Sequence, residues 1–571
     1  MIRIKILICF LTAMFFLLIV GLFNLEIIHG RNFKGIGDKN CIRLLSQRGS
    51  RGRIIDRNGL VIAGNKISYD LMFVPQEYAS QDELIFSVSR ILGKDDKGFS
   101  AALKKTYPVS SMPVSLARNL KLKEAIALGQ LKADFPYITI QDNPVRAYPN
   151  SNLACHILGY LGEIDRWRLT KLEDYGYKTK DIVGFGGVEE KYDYYLRDEE
   201  GGISFQVDHR GRLVRTLGFK PPVDGKDIQL TLDIRIQKIA ESALGERKGA
   251  VIIMNPYTGE VVALASSPRF NPEAFVDKDN VMVSRLFKDP ASPLVNRAIS
   301  GLYPAGSVFK LVVATAALEN KKINQHTSLL CQGSLMVGRQ DFKCWDTHGQ
   351  QNIISAIAHS CNVFFYRLGL LVGAQAIHDY ALKLGFSHLT GFDLPYEKQG
   401  FIPSPLLKKI NTLKKWFDGD TANLSIGQGE VLVTPLQVAR MMAIFANGGY
   451  LVTPYITKSI AGKDLSRYRK KPEKINLRPE TISIIREGLR GTVNNQGGTG
   501  HVLSAAGVTV AGKTGTAQSP PRQSHAWFSG FFPFKEPKFV ICVLLEHGGP
   551  GYNSCLIAKK IIEEMLAEGL I

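Results

Sequence analysis

Residues 6–23, ILICFLTAMFFLLIVGLF, run for eighteen positions without a charge. That length is near the lower limit for a helix that spans the hydrocarbon core. Arg3 and Lys5 precede the run. A positive flank stays in the cytoplasm, so the rest of the chain is expected outside. A cleaved signal peptide is the alternative. The run is long for one, and NLEIIHGRNF, which follows it, holds no A-x-A-like site. No second long apolar run appears, which predicts a single-pass anchor over residues 1–24.

Beyond the anchor the pattern is mixed. RGSRGRIIDRNGLVIAGN, residues 48–65, alternates on either side of Asn58-Gly59 and predicts a hairpin. Residues 82–133 carry helical spacing with many charges, and YITIQ reads as a strand punctuated by Pro144 and Pro149. GFGGVEEKYDYYL, residues 184–196, opens Gly-rich and continues as a helix. Residues 25–228 therefore read as one non-catalytic module of extended and mixed elements.

At residues 228–244 a strand ends at Asp233 and a helix begins. GAVIIMNPYTGEVVALASSP predicts two strands around a turn at Pro256–Gly259. Later helices (VFKLVVATAALEN, AQAIHDYALKLG, PLQVARMMAIFANG) precede late strands (VTVAGKTGTA, HAWFSGFFP, KFVICVLLEHG) and a terminal amphipathic helix. An antiparallel sheet with helices packed on it, an α+β fold, is expected for residues 229–571.

Composition narrows the class. The 571 residues exceed one ordinary domain, and 45% hydrophobic content argues against disorder. The formal charge of +19 favours polyanions. No finger, RNP motif or long Lys/Arg run supports nucleic acid, while an anionic membrane face or lipid-linked substrate fits.

Three short motifs can carry chemistry. In Tyr303-Pro-Ala-Gly-Ser-Val-Phe-Lys310 a helix-forming run begins at Ser307, and Lys310 follows one turn later on the same face. A hydroxyl needs a base to become a nucleophile, and a lysine in a dry pocket can serve. His359-Ser360-Cys361-Asn362 can present a hydroxyl and an amide to one pocket, or simply break a helix. Gly512-Lys513-Thr514-Gly515-Thr516 lies between two strands, where a glycine lets another backbone approach and a lysine can hold a carboxylate. Each is weak alone. Together and in this order, S-x-x-K, S-x-N and K-T-G resemble the active-site-serine penicillin-recognising enzymes.

The wider chain resembles the class B, monofunctional penicillin-binding transpeptidases. Arg48 through Ala63 is similar to their membrane-proximal R-G-x-I-x-D-R-N-G motif. Arg146-Ala-Tyr-Pro149 and Gly184–Leu196 resemble further pedestal motifs. GAVIIMNPYTGEVVALAS, NRAISGLYPAGSVFK, SIGQGEVLVTPLQVA and HAWFSGFFP resemble successive transpeptidase blocks. ACHILGYLGEI and HAWFSGFFP point to the elongation-type branch, the penicillin-binding protein 2 group, with the division-type branch as the near alternative. The resemblance implies an inner-membrane protein with its catalytic domain in the periplasm that cross-links peptidoglycan stem peptides and is acylated by β-lactams. It implies Ser307 as nucleophile, Lys310 as base, Ser360 as proton relay and Asn362 as orienting group. Lys513 and Thr514 would bind the terminal carboxylate beside Gly515, and the N–H groups of Ser307 and Thr516 would form the oxyanion hole. A SEDS-family glycosyltransferase and rod-shape scaffold proteins are the implied partners. A β-lactamase or penicillin sensor on the same domain is the competing reading, and an inactive scaffold is the third.

Cys331, Cys344, His348 and Cys361 have ligand types that suit zinc, at a spacing that matches no standard finger. In the resembling group a structural zinc can sit between S-x-x-K and S-x-N. His348 and Cys361 match two of its ligands, and Asp341 or Asp346 could replace the other two. A Cys331–Cys344 disulfide or free thiols are the alternatives. His156, His501, His525 and His547 are expected to be packing or surface residues.

Overall fold

The hairpin read from residues 249–268 opens the larger sheet. Strands β1 (Gly249–Met254) and β2 (Val261–Ser267) are joined by three late strands, β3 (Ala511–Ser519), β4 (Arg522–Phe532) and β5 (Phe539–Leu545). The sheet is antiparallel with order β2-β1-β5-β4-β3, so β3 is an edge. All residues of β1 and β2 are buried. Both faces are covered, which is why these strands read as continuous apolar runs instead of alternating ones. One face, with Ile252, Met254, Trp527 and Phe531, packs toward the helices Lys310–Glu319 and Pro435–Ala446. The other, with Val251, Ile253, Phe528 and Val543, packs against Ile234–Leu244 and Tyr552–Ala567. The expected α+β arrangement is present.

The computed structural model describes residues 1–34, 42–73, 81–93, 114–135, 138–207 and 213–571. Its apolar N-terminal helix, Ile2–Phe23, continues to Ile28 and buries none of its residues.

Contacts divide the chain into two units that are not contiguous in sequence. The first comprises residues 1–51, 65–145 and 197–225, and the second 52–64, 146–196 and 226–571. The single division expected at residue 228 differs from this because long-range pairing recruits early segments to the second unit. Ile54 and Ile55 pair in parallel with Ile228 and Gln229. Arg146 Nε donates to Glu189 Oε1 at 2.7 Å, with both side chains inaccessible. The GFGG stretch has a packing cause: a Cβ on Gly187, at φ +56°, would lie 2.3 Å from the Ile157 carbonyl oxygen.

The first unit holds a three-stranded antiparallel sheet (Ile42–Gln47, Gly201–Val207, Leu213–Lys220) and a separate small core around Leu71, Leu84, Val88 and Leu128. The hairpin at Asn58-Gly59 forms as expected, with Ile54 opposite Ala63. The helical spacing of residues 82–133 is only partly realised. Gln81–Leu92 and Leu122–Gln130 are helices, but Val114–Leu120 is a strand paired with residues 69–73. Tertiary pairing overrides the local pattern there. Residues 94–113 of that stretch lie outside the described residues.

Candidate active site

Ser307 sits in a 3₁₀ turn, Gly306–Phe309, and the α-helix proper begins at Lys310. The turn is held from behind by the SIGQGE loop. Gly306 N–H donates to Gly427 O at 2.9 Å. Gly427 has φ +68°, and a Cβ there would lie 2.3 Å from Gly306 O and 2.6 Å from Phe309 Cβ. Only glycine fits so close to the serine turn.

Lys310 is fully buried. Its Nζ donates to Ser360 O at 2.7 Å, Ser360 Oγ at 3.3 Å and Asn362 Oδ1 at 2.7 Å. Burial lowers its pKa to about 7, against an opposing pull from Cys344 and Cys361. Among the described residues no side chain hydrogen-bonds Ser307 Oγ. Catalytic hydrogen bonds commonly close only when substrate is present.

Ser360 and Asn362 lie where the helix Ile353–Ala358 ends and Asn362–Val372 begins. The sequence alternatives of a helix break and a shared pocket are one feature here. Ser360 adopts φ +54°, a left-handed conformation unfavourable for a non-glycine residue. That turn places its carbonyl and hydroxyl on Lys310.

Lys513, on β3, is also fully buried. Its Nζ donates to Thr514 O at 3.0 Å, and burial and then the nearby Lys310 hold its pKa well below the usual lysine range. Gly515 lies against the serine helix: a Cβ there would be 3.4 Å from Val308 Cγ1. Thr516 O is 3.1 Å from where a Gly306 Cβ would stand. The sheet edge is thus set beside the serine turn, and the three motifs meet in one cleft. Thr516 Oγ1 accepts from Gly551 N–H at 3.0 Å. Sequence reasoning missed Thr499, whose Oγ1 is 2.7 Å from Thr514 Oγ1. It sits in the turn-like stretch NNQGGTG, where nothing local marks it.

The ligand atoms of Cys331, Cys344, His348 and Cys361 lie within 4.8 Å of one another. His348 Nδ1 is 3.7 Å from Cys331 Sγ and 3.5 Å from Cys344 Sγ. All four cluster without Asp341 or Asp346, and the three thiols are free instead of Cys331 and Cys344 being bridged. A hydrogen bond from Cys361 holds the Cys344 thiol well below its usual range and pushes that of Cys361 up. Three converging thiols and an imidazole suit a soft tetrahedral cation, so the cluster could hold a metal.

Two family descriptions match the chain. Residues 249–567 match the penicillin-binding protein transpeptidase domain, and residues 46–230 match the penicillin-binding protein dimerisation domain. The chain belongs to the penicillin-binding protein transpeptidase family. It is 32% identical over 568 residues to the peptidoglycan D,D-transpeptidase MrdA of Acinetobacter baumannii, spanning 95% of this chain and 84% of the relative. It is 29% identical to MrdA of Escherichia coli K12, spanning 96% and 91%. The structure of penicillin-binding protein 2 (PBP2) in complex with MreC from Helicobacter pylori is similar, with a TM-score of 0.82, 28% identity and coverage of 93% and 99%.

Proposed function

We propose that this chain is a peptidoglycan D,D-transpeptidase of the elongation type that works through an acyl-enzyme on Ser307. The observation that carries the residue assignment is Lys310, fully buried and held by Ser360 and Asn362 one turn from Ser307. Burial leaves a large share of this lysine neutral near pH 7. The neutral amine takes the Ser307 proton as Oγ attacks the carbonyl of the penultimate D-Ala. The N–H groups of Ser307 and Thr516 donate to the carbonyl oxygen as negative charge develops on it. Ser360 passes a proton to the leaving nitrogen, the C–N bond breaks and the terminal D-Ala departs. Lys513 and Thr514 hold its carboxylate until then. An amine of a neighbouring stem attacks the ester, forms the cross-link and returns Ser307. A β-lactam follows the same first step, but its ring nitrogen stays tethered to the acyl group.

The helix beginning at Ile2, the one apolar helix of spanning length among the described residues, is the membrane anchor, with Arg3 and Lys5 on the cytoplasmic side and the catalytic unit in the periplasm. The likeness to the PBP2–MreC complex supports a scaffold partner of that kind. A structure from work on polymerization and crosslinking by a peptidoglycan synthase complex is also similar, with a TM-score of 0.72 and 28% identity, and supports a glycan-polymerising partner, which we read as a SEDS-family glycosyltransferase. Cys331, Cys344, His348 and Cys361 would hold one structural zinc. Four protein ligands would leave no open position, so these residues would fix the loop of Ser360 and Asn362 and supply no metal chemistry to the reaction.

The test is intact-mass analysis of the detergent-solubilised chain with a fluorescent penicillin, beside Ser307→Ala. A stable single adduct absent from the variant is expected. Rapid drug turnover would indicate a β-lactamase, and no adduct on a folded sample would sink the serine assignment.

A further inference from the structure

The hydroxyl assigned to the substrate carboxylate has one proton and a second claim on it. Thr514 Oγ1 lies 2.7 Å from Thr499 Oγ1, and either oxygen can be the donor. No other group among the described residues hydrogen-bonds Thr514 Oγ1. Thr514 is buried on the edge strand β3, and Thr499 is half-buried in the turn after the helix Pro479–Asn494. The mechanism above does not use Thr499.

The turn is built to bring that side chain to the strand. Gly500 N–H donates to Thr492 O at 2.9 Å, and His501 N–H donates to Gly498 O at 3.1 Å. A Cβ on Gly498 would lie 2.4 Å from Thr492 O and 2.6 Å from Gly491 O, so the chain before Thr499 is folded tightly onto the helix end. A Cβ on Gly500 would lie 3.5 Å from Thr514 Cγ2. Thr499 N–H donates to Ala358 O at 3.3 Å, and Ala358 is the last residue of the helix that leads into Ser360. The backbone of Thr499 is therefore tied to the turn that carries Ser360, while its side chain reaches Thr514. The two links are separable, because the first belongs to the peptide group and is independent of the side chain.

The number of protons decides which hydroxyl donates. An ionised carboxylate only accepts, so Thr514 must give its proton to the substrate. Thr499 is then the donor to Thr514. In the opposite arrangement Thr514 donates to Thr499, and the Thr499 proton is left with Ala358 O at 3.5 Å, a long contact at the limit of hydrogen bonding. A chain from Thr499 Oγ1–H through Thr514 Oγ1–H to the carboxylate uses the short distance, and each bond in such a chain polarises the next.

We propose that Thr499 is a positioning residue for the substrate carboxylate: its hydroxyl donates to Thr514 Oγ1 and so aims the Thr514 proton at the anion. Thr499 does not touch the substrate. It makes the site selective for a free carboxylate over an ester. The inference rests on the Ser307 acyl-enzyme reading and deepens it.

The experiment measures Ser307 acylation by the full chain in detergent, with a penicillin and with its methyl ester, resolved into limiting rate and half-saturating concentration. The unaltered chain should favour the free acid by about tenfold or more in second-order rate, because a hydrogen bond to a charged group is stronger than one to a neutral group. Thr499→Val removes the donor at similar volume. It should raise the half-saturating concentration of the acid about tenfold, leave its limiting rate within about threefold, and leave the ester within about threefold in both. Thr499→Ser keeps the donor and should return the acid to within about threefold of the parent. Thr499→Ala, which adds no methyl beside Thr514, gives the same readout if the valine variant does not fold. An acid preference that persists in the valine or alanine variant overturns the proposal. So does an equal loss for acid and ester, which marks a structural role through the Ser360 turn, and so does a serine variant that fails to restore the acid. An unaltered chain that does not distinguish acid from ester overturns it too. If penicillin forms no Ser307 adduct at all, the parent reading has failed instead.

Discussion

Replacing Lys310 with arginine isolates the role of a neutral amine. Arginine keeps the charge and can still donate to Ser360 and Asn362, but it does not give up its proton in a protein. Lys310 lies at about 7 because it is buried, so close to half of it is neutral at pH 7. Arginine, whose pKa lies far above neutrality, is essentially never neutral there. General base catalysis contributes about 10²–10⁴-fold, so the acylation barrier should rise by about 3–5 kcal/mol. Forcing a guanidinium into a fully buried site adds about 1–3 kcal/mol of destabilisation. Lys310→Met separates the two effects. It keeps the apolar stem without a buried charge, so it should fold at least as stably as the parent and be equally inactive. The assay is the second-order rate of acylation by a fluorescent penicillin from about pH 5.5 to about pH 9. The base works unprotonated, so the parent rate should fall about tenfold per unit below about 7 and level off above it. A flat parent profile, or either variant within about threefold of the parent, would refute a neutral Lys310 as the base.

Three further outcomes follow from contacts on the page. Gly427→Ala, at φ +68° and with Gly306 O at 2.3 Å from the added carbon, should cost about 2–5 kcal/mol in denaturant melts and slow acylation by shifting the serine turn. Glu189→Ala leaves Arg146 charged and buried, which should cost about 3–5 kcal/mol; pairing it with Arg146→Met should restore much of that loss. Metal analysis should find about one zinc per chain and well under one in Cys344→Ser, and a chelator should lower the Tm of the parent alone.

The candidate site was legible in the sequence because each motif is local. Ser307 and Lys310 need only one helical turn, and Lys513 through Thr516 need only one strand. What brings them together is not local. Ser360 reaches Lys310 through a left-handed turn between two helices, and Thr499 reaches Thr514 from a loop without periodicity. The histidines expected to be mere packing residues show the same limit. His525 is packed, yet its Nδ1 accepts from the N–H of His547, which lies across the neighbouring strand. The strand Val114–Leu120 was hidden inside a helical reading because its partner lies more than forty residues earlier, so the pattern that matters is the pairing.

The cleft also sets two lysines against each other. Lys310 and Lys513 are both fully buried, and Lys513 is held below its usual range by burial and by Lys310. A substrate carboxylate at Thr514 changes that balance. An anion beside Lys513 favours its charged form, by the same rule that lowers a carboxylate beside a cation. A charged Lys513 then disfavours charge on Lys310, leaving the latter as the free base when substrate is seated. On the proposed mechanism, binding the carboxylate would thus prepare the proton acceptor. The rate at saturating penicillin should consequently lose activity at a lower pH than the second-order rate, which reports the free enzyme. With a penicillin ester, which brings no anion, the two profiles should coincide. Coincident profiles for the free acid would show that Lys310 is set by burial alone.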